Sequence, residues 1–346
     1  MAARKSTKVK KKKAPARGKP KRPFIIDFHG HIVNPEIFAL TAKHTLHARI
    51  GLGKKTSLGN AKKSEETMAR MVNNDLRIKD MDKMGVDMMV ISPSLIHHNT
   101  TWADGATAAK IVRQANDTVA EAVDKHPDRL TGLGIVPLQD PARAVRELDR
   151  LVNKLGIRGV QIPTILGSLE LGDKKFHSFW RKAEQLNAPI FIHPAGNSDE
   201  RLRKHGMAFT VGQPYEETLA MSSLIYEGVM DKFPKLKVLV AHGGGYLPYY
   251  AGRQDHAYKS GSDGGVLKRS ISGYLRKFYY ESVVFNIDML EFLATKTPIS
   301  HIVMGTDYPF GEKKPYEFVR SAKSISKADQ DAILGKNAAR LLGIKI

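Results

Sequence analysis

Phe24-Ile25-Ile26-Asp27-Phe28-His29-Gly30-His31 is an apolar, β-branched run of strand length that ends in two histidines. In an extended chain, residues two apart point the same way. A strand over 24–28 therefore lets His29 and His31 aim both imidazoles at one point just beyond its end. Neutral imidazole is the commonest protein ligand for zinc and suits several other transition metals. The same signature recurs down the chain. Ile190-Phe191-Ile192 is closed by His193, Val238-Leu239-Val240-Ala241 by His242, and Ile302-Val303-Met304-Gly305 is followed by Thr306-Asp307.

Working outward from that first run, apolar stretches predict eight strands: 24–28, 86–92, 130–136, 157–161, 189–193, 237–241, 278–282 and 302–305. Between them, helical periodicity predicts helices at 105–126, 141–155, 174–187, 215–232 and 286–296. The last stretch, 315–343, also reads as helices, with Ser326 and Asp329 marking one N-terminus. Strand and helix in alternation argue for parallel β, and eight repeats argue for an α/β fold of the (β/α)₈ TIM-like barrel type over residues 23–346. Residues 34–76 are too long for a simple connection and are expected to form a lid-like insertion after strand 1.

Charge is distributed unevenly. The chain of 346 residues carries a net +20. Residues 1–22 hold eleven lysines and arginines and no acid, leaving +9 for the rest. With almost no apolar content, 1–22 is expected to be a disordered, solvated basic tail, and nucleic acid is not expected as a partner on that ground alone. The tail has no apolar h-region and is lysine-rich rather than arginine-rich, so it reads as neither a secretory signal nor a transit peptide. No apolar run reaches the roughly 18 residues of a membrane span. The expected location is the cytoplasm. Cysteine is absent, which excludes disulfides and thiolate ligands, whereas 13 histidines make a His/carboxylate site available.

In such barrels the chemistry lies at the carboxyl ends of the strands. His29, His31, His193, His242 and Asp307 all fall there. Three imidazoles and a carboxylate with one open position suit a single Zn²⁺, or Mn²⁺, carrying a water. A further histidine beside that water can move its proton. His242 is the choice for that role, because the glycines after it, Gly243-Gly244-Gly245, leave backbone room for a substrate.

Asp27-x-His29-x-His31, His193-Pro194, Ala241-His242-Gly243-Gly244-Gly245 and Gly305-Thr306-Asp307-Tyr308-Pro309-Phe310, in that order, resemble the amidohydrolase superfamily over residues 23–344. More narrowly they resemble the branch typified by aminocarboxymuconate-semialdehyde decarboxylase. The resemblance implies that His29, His31, His193 and Asp307 bind the metal and that His242 transfers the proton. It also implies that Arg253 reaches into a neighbouring subunit to grip a substrate carboxylate, hence a homodimer. Binuclear members carry a bridging lysine at the end of strand 4. Here Gly159-Val160-Gln161-Ile162-Pro163 has none, so one metal is expected.

The implied reaction is metal-dependent, non-oxidative decarboxylation of an unsaturated or aromatic carboxylate. A metal-dependent hydrolase of a lactone, C–O or C–N bond is the alternative from the same branch. Two positions depart from the decarboxylase pattern. Ala195 stands where a tryptophan follows the His-Pro pair. Glu65 stands nearest a second carboxylate-binding arginine, with Arg70, Lys62 and Lys63 as the cations near it. His44, His47, His97 and His98 fall near the same rim or in the insertion, as candidates for substrate contact.

Overall fold

The computed structural model describes residues 22–41, 44, 61–93, 100–196 and 199–346, apart from the side chains of 61–64 and 203. Eight strands form one parallel sheet in chain order: β1 (Ile26–Ile32), β2 (Met88–Pro93), β3 (Leu130–Gly134), β4 (Gly159–Pro163), β5 (Ile190–His193), β6 (Val238–Val240), β7 (Tyr279–Glu281) and β8 (Ile302–Val303). Three backbone hydrogen bonds of 2.9 Å close it: Phe28 N to Met304 O, Tyr308 N to His29 O, and His31 N to Tyr308 O. The result is a (β/α)₈ barrel whose strands match the eight expected runs.

The first strand extends further than its apolar pattern predicts. β1 continues through Ile32, so His29 and His31 lie inside it rather than beyond it. The cause is pairing on both edges, with β2 on one side and the segment after β8 on the other. Between Asp27 and Gly30 the register against β2 shifts, as at a β-bulge. That irregularity lets two consecutive side chains reach one interior ring. Phe28 and His29 both meet Phe191, with centroids 5.8 and 4.9 Å apart.

Ile26, Val90, Leu133, Phe191, Leu239 and Val303 pack together inside the barrel, joined by Ala338, Leu341 and Leu342 near the C-terminus. The helices outside are α1 (Pro35–Thr41), α2 (Ala61–Val72), α3 (Asn74–Met84), α4 (Gly105–Lys125), α5 (Pro141–Asn153), α6 (His177–Gln185), α7 (Gln213–Tyr226), α8 (Leu247–Ser260) and α9 (Ile287–Lys296). Asp104 and Asp140 cap α4 and α5 by accepting hydrogen bonds from backbone N–H groups of the first turn. The helix expected over 215–232 is broken. α7 stops at Tyr226, and Gly228 takes φ +72° before a short turn over Val229–Lys232. The C-terminal helices are present, and Ser326 accepts a hydrogen bond from Asp329 N as its spacing suggests.

Two helices of the 34–76 stretch, α1 and α2, are described. The expected tail over 1–21 and most of 42–60 lie outside the described residues. Among the described residues no helix is long and apolar enough to cross a membrane.

Close packing between strands makes one stability prediction sharp. A Cβ on Gly159, the first residue of β4, would sit 2.3 Å from the Pro189 carbonyl oxygen, and backbone cannot swing aside. Gly159→Ala should destabilise by about 1–3 kcal/mol, as overpacking does. Gly252→Ala, in open space on α8, should be neutral or slightly stabilising. Thermal unfolding of the two variants side by side checks the contrast; equal midpoints would contradict it.

Candidate metal centre

Four elements deliver the site. β1 brings His29 and His31, β5 ends in His193, His242 follows β6, and Asp307 follows β8. One ligand atom each from His29, His193, His242 and Asp307 lie within 4.8 Å of one another. His31 joins the same cluster. Its Nε2 is 2.9 Å from Asp307 Oδ1, and its ring is 4.9 Å from those of both His29 and His193. All five expected residues therefore converge. The tight grouping of donor atoms takes in His242, the expected proton carrier, alongside three of the four expected ligands.

Carboxylates behind the histidines set which nitrogen faces inward. Glu281 Oε1, at the end of β7, is 3.3 Å from His29 Nδ1 and accepts a 2.5 Å hydrogen bond from His242 N. Its Oε2 accepts from Val283 N. With the Nδ1 proton directed at Glu281, His29 presents the lone pair of Nε2, a buried nitrogen with no hydrogen-bond partner. His193 Nδ1 likewise donates to Pro194 O at 3.0 Å, which leaves Nε2 as its lone-pair nitrogen. A buried, unpartnered imidazole nitrogen facing a carboxylate and other imidazoles fits a divalent cation.

Asp27 fastens the two edges of the closure. It accepts hydrogen bonds from His29 N at 3.0 Å, Thr306 N at 2.9 Å and Thr306 Oγ1 at 2.5 Å. Full burial still pushes its carboxyl up to about 6, against the pull of those bonds. Asp307 ends up the other way. Burial alone would raise it, but His29, His242 and His31 around it hold it well below the usual carboxylate range.

His242 has its own partner. Its Nδ1 is 2.5 Å from Glu217 Oε1, supplied by α7 and fully buried. Burial would lower the imidazole, but Glu217 and Asp307 raise it well above the ordinary histidine value. Burial pushes Glu217 up to about 7 despite His242 pulling it down. The pair is close enough to share a proton, and the imidazole's Nε2 lies 3.9 Å from Asp307 Oδ2. Both His242 (φ +47°) and Asp307 (φ +55°) adopt the left-handed backbone region that non-glycine residues rarely occupy. Such strain is tolerated where the surroundings impose it, typically at functional sites.

The glycines after His242 serve packing rather than substrate clearance. A Cβ at Gly243 would strike Val284 and Tyr249, one at Gly244 would strike Tyr280, and one at Gly245 would lie 2.1 Å from Pro214 O. All three have positive φ.

Other expected residues fall elsewhere. Arg253 is exposed on α8 and forms no ion pair among the described residues. His44 stacks on Trp102, centroids 3.8 Å apart. His47, His97 and His98 lie outside the described residues, as do the side chains of Lys62 and Lys63. Glu65 is exposed, and Arg70 pairs with Asp80 at 3.1 Å. Ala195 is buried. On β4, Gln161 is tied to Ser92 and Pro93, with no lysine in the strand.

Glu217 and Glu281 are absent from the sequence reading. Glu281 carries the same signature as His193, a polar residue near the end of an apolar strand, and that signature could have found it. Glu217 offers none. It follows Glu216 on a helix, where paired acids ordinarily face solvent.

Residues 26–344 match the amidohydrolase family. The 2-amino-3-carboxymuconate-6-semialdehyde decarboxylase of Dictyostelium discoideum is 31% identical over 333 residues, covering 93% of this chain and 92% of the relative. The crystal structure of 5-carboxyvanillate decarboxylase from Sphingomonas paucimobilis superposes with a TM-score of 0.83 at 27% identity, covering 93% of this chain and 99% of that one. A dihydroxybenzoic acid decarboxylase from Polaromonas sp., solved with manganese and the inhibitor 2-nitroresorcinol, gives 0.80 at 26% identity over 93% of this chain and 97% of its own. The chain belongs to the amidohydrolase superfamily, in the branch of decarboxylases like aminocarboxymuconate-semialdehyde decarboxylase.

Proposed function

We propose that this protein is a metal-dependent, non-oxidative decarboxylase of an unsaturated or aromatic carboxylate. His29, His31, His193 and Asp307 would hold one divalent ion, zinc in the first place with manganese fitting the same donors, and His242 would carry the proton. The observation that carries this reading is the convergence of five metal-type and proton-carrying side chains, with His242 Nδ1 held by buried Glu217 beside the donor cluster. When bound, the metal supplies positive charge that orients the carboxylate substrate and stabilises negative charge developing on it.

The protein's own groups do the rest. Asp307 and Glu281 fix the orientation of the histidines, and Glu217 keeps the His242 proton source in place. His242 delivers a proton to the carbon that bears the carboxylate. The bond from that carbon to the carboxylate then breaks, its electron pair returns to the π-system, and CO₂ leaves.

Arg253 is the proposed clamp for a substrate carboxylate, acting from a second copy of the chain. Its exposure supports that role, because it forms no ion pair among the described residues of its own subunit. Tyr250, one turn before it on α8, is 69% exposed, and Tyr246, Tyr215 and Leu219 are exposed as well. An apolar surface around an uncommitted arginine suits a homodimer contact. Arg253→Ala should then raise KM with sedimentation still reporting a dimer; a monomeric wild type would refute the shared site. The 34–76 insertion is the proposed lid over the barrel mouth, and the cytoplasm the proposed location.

The deciding experiment is a panel of ortho-hydroxy and amino aromatic acids, muconate semialdehydes and lactones, incubated with metal-loaded enzyme and scored for CO₂. Stoichiometric CO₂ from one acid class is the expected result. Conversion of a lactone with no CO₂ from any acid would replace decarboxylation by hydrolysis.

A further inference from the structure

A cavity of about 360 Å³ opens on the barrel flank between α2, α3 and the segment after β8. None of the five clustered side chains lines it, although Tyr308 follows Asp307 directly in the chain. Tyr308 separates the cavity from that cluster, its backbone paired to His29 and His31 of β1 and its hydroxyl donating to Asp80 Oδ2 on α3 at 3.1 Å.

The charges lining the cavity do not balance. Arg70, Lys83 and Lys313 face Glu66 and Asp80. Asp80 is fully engaged, accepting from Arg70 Nε at 3.1 Å and Lys83 Nζ at 3.2 Å besides Tyr308. Glu66 is half-exposed and reaches Arg70 only at 3.9 Å. Lys313 is half-buried, donates to Pro309 O at 2.5 Å, and has no carboxylate within 4.0 Å among the described residues. Asp307, Asp80 and Glu312 attract it only from a distance, and a partly desolvated ammonium with no carboxylate in contact is costly. Arg70, a second cation lining this space, repels it and keeps its Nη2 uncommitted among the described residues. An anion between the two would relieve both. The remaining wall, Met84, Tyr308 and Pro309, is largely apolar.

We propose that this flank cavity binds a small organic carboxylate, its charged end between Arg70 and Lys313 and its apolar body against Met84 and Pro309. Arg70 supplies a guanidinium edge, the donor geometry that suits a carboxylate. The assignment does not depend on the reaction at the metal.

The test titrates benzoate into the metal-loaded full chain by calorimetry. A flank site distinct from the metal centre should appear as a second binding event. Arg70→Gln and Lys313→Met should each weaken that event by about tenfold or more, as loss of a charge-assisted contact does, with the metal-centre event unchanged. Lys83→Met, on a side chain engaged by Asp80, should leave both events within about threefold. Thermal unfolding controls for the fold; if Arg70→Gln melts early, Lys313→Met alone decides. A wild type with no binding event that Lys313→Met weakens would overturn the proposal. An enzyme inactive on every acid but showing this behaviour would refute the decarboxylase reading and leave the flank site standing.

Discussion

His242→Ala should keep the metal and lose about 10³-fold in kcat, the scale expected when a general acid is removed from a coupled site. The side chain is held at one end by Glu217 at 2.5 Å and directs Nε2 at the cluster, 3.9 Å from Asp307 Oδ2. His29 also meets a carboxylate outside the cluster, but its longer 3.3 Å contact with Glu281 leaves a lone pair, not a proton, facing inward. His242 therefore combines a raised proton affinity with a place in the donor cluster. Glu217→Gln separates this reading from simple damage. It preserves the shape of the contact but removes the charge that holds the imidazolium, so kcat should fall by about 10–10²-fold with metal content unchanged. Elemental analysis of both variants is the companion measurement. If His242→Ala loses its metal, His242 is a ligand, as its place in the donor grouping allows; near-normal turnover would assign the proton to another group.

The barrel was readable from local pattern because each strand is short, apolar and bounded by polar residues. The five clustered side chains were readable because each closes such a strand or comes within three residues of its end. What local pattern could not supply was pairing at a distance. The extension of β1 through His29 and His31 depends on Tyr308, more than 270 residues away in sequence, hydrogen-bonding between them. The burial of Glu217 depends on α7 packing against the segment after β6, and nothing in Glu216-Glu217 distinguishes a buried acid from a solvated one. Gly243-Gly244-Gly245 shows the same limit. The sequence revealed permissive backbone, but only the neighbours Tyr249, Tyr280 and Pro214 reveal that the space is filled by protein. Arg253 was named through the resemblance alone, and a single chain leaves it facing solvent.

Removal of the metal should abolish turnover and lower thermal stability together. The purified protein should carry about one divalent ion per chain, since the donors form one cluster and β4 offers Gln161 in place of a bridging lysine. His193→Ala and Asp307→Ala should each lose the ion, for different reasons. His193 contributes a lone pair aimed by its opposite nitrogen, which donates to Pro194 O, so its removal takes a pre-oriented donor from the set. Asp307 supplies the only carboxylate in the donor cluster among the described residues and lies near three histidines of the site, His31 at 2.9 Å, His29 at 3.3 Å and His242 at 3.9 Å. Without it, those buried imidazoles face one another with no negative charge between them. Because the ion binds the folded site and not the unfolded chain, saturation at about a thousand times Kd adds roughly 4 kcal/mol of stability. Chelation should therefore lower the unfolding midpoint, and re-addition of zinc or manganese should restore both midpoint and CO₂ release. A metal-free wild type that still turns over substrate would refute the metal-dependent mechanism, whatever the fate of its stability. An unchanged midpoint alongside lost activity would instead place the ion outside the buried cluster that joins β1, β5 and the segment after β8.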